Sequence, residues 1–108
     1  MVIYMEWYAS PFLDEAVCRD YRHLKRKITN KKKHPPVYLL VLPDSSSRNL
    51  LEILPSLVLL QKNYPTDGLL VIGMAHSREK ALKMTEELFG TVYAEGFGTD
   101  LRGFMNLS

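Results

Sequence analysis

An α/β fold follows from two observations on this 108-residue chain. Three apolar segments, residues 2–7, 37–42 and 69–74, each run into a short polar loop and then into a helix-like stretch, which is the grammar of the βα unit. The second and third segments are apolar on both faces, as strands covered on both sides are. The expectation is a small βαβαβα domain with a three-stranded parallel sheet flanked by helices, Rossmann-like in its alternation and two or three layers deep. The right-handed crossover rule leaves strand order 2-1-3, with helices on both faces, or 1-2-3, with helices on one.

In the first strand Val2, Tyr4, Glu6 and Tyr8 alternate with Ile3, Met5 and Trp7. Glu6 is expensive in a closed interior, so this strand sits at an edge or opens toward a ligand at its C-terminal end. A helix is predicted over residues 11–29, because Leu13, Val17, Tyr21, Leu24 and Ile28 fall on one stripe. Ser10 is placed to cap it, Pro11 suits its first position, Asp14 and Glu15 suit its positive end, and basic residues crowd its negative end. Cys18 lies at the border of the stripe, which implies a partly buried, inert thiol. Residues 30–36 read as an exposed linker ended by Pro35 and Pro36.

The second strand, residues 37–42, is expected in the interior, and a second helix over residues 49–63. Its Leu50, Leu51, Ile53, Leu54, Leu57, Val58 and Leu60 span half the circumference, more than one sheet face covers, and Pro55 should kink it. That surplus suggests a homodimer with residues 50–60 near the interface. Asp67 and Gly68 turn the chain into the third strand. The third helix starts at Ser77 as its cap and continues through Ala81, Leu82, Thr85, Leu88 and Phe89, with Gly90 ending or weakening it. Residues 91–108 form a Gly- and aromatic-rich tail packed on a single 1–108 domain, either irregularly or as a short last helix.

Composition bounds the function. Hydrophobic residues at 46% and charged residues at 24% are those of a folded globular domain. No stretch reaches the roughly 20 apolar residues of a membrane span. A lone cysteine and the absence of a basic, hydrophobic leader point to the cytoplasm. Net charge is only +2, yet residues 19–33 hold eight of the fourteen basic residues against Asp20 alone, a local +7. The rest of the chain is acidic, so the molecule is electrically two-sided.

If the strands are parallel, their C-terminal loops gather at one edge, where open α/β sheets bind ligands. Asp44, Ser45, Ser46 and Arg48 there can surround an oxyanion, and His76 with Arg78 can add a proton carrier and a charge. The plainer reading is that Asp and Ser serve as turn and cap residues. A catalytic role for His76 would need a carboxylate such as Asp44 or Glu6 and a serine among Ser45, Ser46 and Ser47, but no G-x-S-x-G elbow is present. The basic segment, with Arg22, Arg26, Lys31, Lys32 and Lys33, can neutralise phosphates. Tyr21, however, belongs to the apolar stripe and leaves no stacking platform. His23, His34, His76 and Cys18 lack metal-ligand spacing, so neither a metal nor another cofactor is expected.

The chain thus reads as a non-catalytic binding or interaction module, a homodimer with a small anionic ligand at the strand edge. A small enzyme using His76 is the second reading. A nucleic-acid-associated protein using the basic segment is the third.

Overall fold

The computed structural model describes residues 5–43, 50–61 and 64–107. Strands β1 (Glu6–Leu13), β2 (Tyr38–Leu42), β3 (Glu52–Pro55) and β4 (Leu70–Ala75) form one mixed sheet in the order β1-β4-β2-β3. β1 runs parallel to β4, while β2 is antiparallel to both β4 and β3. Helices α1 (Glu15–Cys18), α2 (Tyr21–Thr29), α3 (Arg78–Ala94) and α4 (Leu101–Phe104), with a 3-10 turn at Ser56–Leu60, are the other elements among the described residues.

The domain is α/β, but the three-stranded parallel βαβαβα sheet is corrected to a four-stranded mixed one. Neither 2-1-3 nor 1-2-3 holds, since the third predicted strand lies between the first and second. The cause is the segment expected as a second helix. It forms β3 and the 3-10 turn instead, so β2 gains an antiparallel neighbour and no helical crossover follows it. Pro55 explains the choice: inside a helix it removes a backbone bond and clashes one turn back, whereas at the end of an edge strand its missing N–H goes unneeded. The leucines that suggested a dimer are divided accordingly, Leu54 and Leu59 being buried, Leu50 and Leu57 exposed.

Both sheet faces are covered, as the doubly apolar strands required. On one face Leu39, Val41, Leu54, Val71 and Met74 pack with Val17 of α1, Leu24 and Ile28 of α2, and Leu59 of the 3-10 turn. On the other, Leu40, Leu42, Ile72 and Ala75 meet Ala81, Leu88 and Val92 of α3, with Leu101 and Met105 from the C-terminal segment. Each large side chain fully removed from water here contributes about 1.5–3 kcal/mol. Strict alternation would set Val71 and Met74 on opposite faces. An irregularity reconciles them: Leu40 faces Gly73 and Val41 faces Val71, so Ile72 is an extra residue that resets the alternation. Gly73 beside it admits no side chain, because a Cβ would lie 2.7 Å from the Phe12 carbonyl oxygen and 2.8 Å from Leu40 Cδ1.

The predicted first helix begins late and is broken. Residues 10–13 belong to β1, Asp14 rather than Ser10 caps α1, and the chain turns at residues 19–20 before α2. The apolar stripe nevertheless lands inward at Val17, Leu24 and Ile28, with Tyr21 half-buried. Cys18 ends the short α1 and is exposed, which corrects the expectation of a partly buried thiol. α2 closes with Lys31 at φ 52°, its N–H donating to Ile28 O and that of Lys32 to Lys27 O, the paired bonds of a left-handed helix end. α3 starts on Ser77, whose Oγ accepts the Lys80 N–H at 3.1 Å, and it runs through Gly90 to Ala94. No helix among the described residues is long and apolar enough to cross a membrane.

Candidate functional site

Parallel pairing of β1 with β4 sets Leu13 opposite Met74, so the chain leaves both strands side by side at one edge. Asp14 follows the first strand and His76 the second. Asp14 donates its N–H to Met74 O, while its Oδ1 accepts the Ala16 N–H at 3.2 Å. Its Oδ2 accepts the His76 backbone N–H at 3.0 Å and also bonds His76 Nδ1. The carboxylate is buried at 5% exposure, whereas the His76 side chain is 53% exposed.

Burial alone would push the Asp14 carboxyl above its ordinary range. The His76 backbone and ring bonds, the Ala16 N–H and the attraction of the imidazole together outweigh it, and its pKa lies below the usual 3.8. An acceptor carboxylate at Nδ1 assigns the proton to that nitrogen, so Nε2 is the ring atom left without a partner among the described residues. The imidazole is thereby held in one orientation and one tautomer beside the first turn of the 17-residue α3.

A second histidine pair stands at the same edge. Tyr38 at the start of β2 faces Ala75 on one side and Pro55 on the other, which brings Ser56 to this end of the sheet. The Ser56 Oγ accepts the Val37 N–H at 3.1 Å and lies 2.8 Å from His34 Nε2. His34 Nδ1 lies 2.9 Å from Lys32 O, and only a protonated Nδ1 suits a carbonyl, so Nε2 accepts from the serine hydroxyl. Both ring nitrogens are engaged, and Ser56 is fully buried. The arrangement ties residues 32–37 to the end of β3 and offers no reachable nucleophile.

The three expected strand ends do not share this edge. Because β2 runs antiparallel to β4, Leu42 faces Leu70 at the start of β4, and Pro43 leaves the sheet at the end opposite His76. Asp44, Ser45, Ser46, Ser47 and Arg48 lie outside the described residues. Glu6 faces Leu70 at that same far end, about 20 Å along β4 from His76, so the two do not form a pair. His76 and Arg78 are the candidate ligand residues that the described part holds at this edge. Ser77 sits between them with its Oγ committed to the helix cap.

The basic segment is distributed over several structures. Arg22 lies in a recess along β1, Arg26 is exposed on α2, and Lys31 Nζ donates to Gln61 O at 3.1 Å. Lys32 and Lys33 follow in the turn that His34 fastens. Tyr21 packs against the core as its place in the apolar stripe implied, and Trp7, outside the basic segment, stands beside these charges: Lys25 Nζ is 5.5 Å from the centre of its ring, which meets Tyr21 edge-on at 6.3 Å. Among the described residues no group of three or more His, Cys, Asp or Glu is gathered to hold a metal.

Sequence reasoning missed Asp14 as the partner of His76, treating it as first-turn decoration of a helix. The available signal was an apolar segment ending in Leu13 followed directly by a capping residue. No family model, no curated protein and no solved structure matches the chain.

Proposed function

We propose that this domain is a non-catalytic binding module that takes a small anionic ligand at the edge where β1 and β4 end. One observation carries the reading: a buried carboxylate spends three hydrogen bonds on fixing a neighbouring turn and a half-exposed imidazole, whose Nε2 is then presented to solvent. Burying a charge is unfavourable unless its bonds compensate, and here they define the direction of a hydrogen-bonding group. Arg78 in the adjoining first turn of α3 adds positive charge, and that helix end favours anions.

A thermal-shift series with inorganic phosphate, phosphate monoesters and small carboxylates tests this. Saturation at a hundred times Kd raises stability by about 2.7 kcal/mol, a shift on the order of 10 °C for a domain this size. The rise should vanish in His76→Gln and shrink in Arg78→Gln; a series without any rise overturns the reading.

The same pair favours a second reading, a hydrolase in which Asp14 orients His76 as a general base toward water. The serines described at this edge are buried or committed to a cap, so the nucleophile in this reading is water itself. Ester or phosphoester hydrolysis lost in both Asp14→Asn and His76→Gln would replace the binding reading with the catalytic one.

A further inference from the structure

We infer that the recess along the outer edge of β1 binds a nucleotide unit, a planar base joined to a phosphate. This site is separate from the Asp14–His76 pair and from the ligand proposed there. It originates in an irregular strand. Trp7 faces Val71 and Phe12 faces Gly73, so β1 advances five residues while β4 advances two, and residues 8–11 leave the ladder. The cavity beside this departure has a volume of about 500 Å³, within the range of small-ligand sites. Its lining includes Trp7, Tyr8 and Tyr21 together with Arg19, Arg22 and Lys25.

Three features of that lining select the ligand. The first is charge without compensation: three cations and no carboxylate line the cavity, and no carboxylate among the described residues pairs with them. Glu15 and Asp20, their acidic neighbours in sequence, are exposed and lie outside the lining. Like charges gathered on one concave surface repel each other and attract an anion. The second is the Trp7 ring, half-buried and fixed edge-on by Tyr21, with Lys25 Nζ over it. A base stacking on the ring face that Lys25 now covers would replace the ammonium there and release Lys25 toward the phosphate. The third is the Tyr21 hydroxyl, buried with no hydrogen-bond partner among the described residues, a polar atom that the fold itself does not satisfy on a side chain that lines the cavity.

Phosphate alone would use the arginines and leave the ring idle, and an apolar aromatic would use the ring and leave the arginines unpaired. A nucleotide uses both, with the guanidinium groups of Arg19 and Arg22 suited to phosphate oxygens. The volume accommodates one such unit, free or as part of a single strand.

Trp7 is the only tryptophan of the chain, so its fluorescence reports on the site directly. Full-length protein is titrated with adenosine monophosphate, with a single-stranded oligouridylate and with inorganic phosphate. The expected result is saturable quenching by the mononucleotide, the oligonucleotide or both, the stronger arm naming the source. Binding should weaken with salt and fall about tenfold in the Arg19→Gln/Arg22→Gln double variant, whose exposed positions leave the fold intact by circular dichroism. Absence of quenching by either nucleotide source overturns the proposal, as does an equal response to inorganic phosphate. His76→Gln should leave the quenching unchanged, which separates failure at this cavity from failure at the Asp14–His76 edge.

Discussion

Two histidines stand at one end of the same sheet, and their surroundings divide them. His76 leans on a buried carboxylate and keeps Nε2 open, while His34 has both ring nitrogens engaged by a buried hydroxyl and a backbone carbonyl. The first arrangement orients a group toward solvent; the second closes a loop. Residue type and position in the sheet are shared, so the difference lies in what each ring's partner leaves unused. Only the first leaves a proton-accepting atom without a partner among the described residues.

Substitutions should widen or collapse that contrast. The largest effect is expected for Asp14→Ala, which strips the cap from α1 and leaves the His76 N–H without its acceptor: about 3 kcal/mol lost, read from urea unfolding. Ser56→Ala should come next, at about 2 kcal/mol, because the buried Val37 N–H then has no side-chain acceptor. Exchanging the rings themselves is the sharper comparison. His34→Gln should lower stability by about 1 kcal/mol and change no ligand response, whereas His76→Gln should change the ligand response and cost less. Equal behaviour of the two variants in both measurements would erase the distinction.

The smallest expected effect is a pH dependence. Asp14 has a lower pKa folded than unfolded, so between those values the unfolded chain binds more protons and stability rises with pH. Its contribution is therefore complete above its ordinary value of 3.8 and is lost as pH falls through the folded value. Asp14→Asn should flatten that acid limb, whereas Ser56→Ala should leave its slope unchanged. A wild-type acid limb that Asp14→Asn leaves unaltered would remove Asp14 as its source.

The sequence exposed some of this plainly. Ser77 followed by Ala81 and Leu88 marked the start and inner face of α3, and the two-sided apolar runs at 37–42 and 69–74 marked strands covered on both faces. Their relative direction was not legible, because periodicity says which face is buried and nothing about which way a neighbour runs. The difference originates in residues 50–60, where a leucine-rich composition conceals a four-residue strand and Pro55 marks its end instead of a helix kink. The candidate site is legible only in part: His76 stands out in the sequence, but of the two carboxylates the sequence offers it, Asp44 lies outside the described residues and Glu6 stands at the opposite end of β1. Trp7 beside Lys25 is not legible in the sequence, because eighteen positions separate them and the two meet in the folded chain.

The contact between Asp14 and His76 joins positions 62 residues apart, and β1 pairs with β4 alone. A ribosome delivers the first strand long before its neighbour exists, so β2 and β3 can pair as a local hairpin while β1 waits. Contacts this distant in sequence slow folding, since the chain closes a large loop before they reward it. Docking of the first strand into the slot beside β4 is then a late event in assembly, and the imidazole acquires its orientation only on that closure. A nascent or truncated chain ending before His76 would carry the acid without its base, and would present the outer edge of an unfinished sheet to its neighbours.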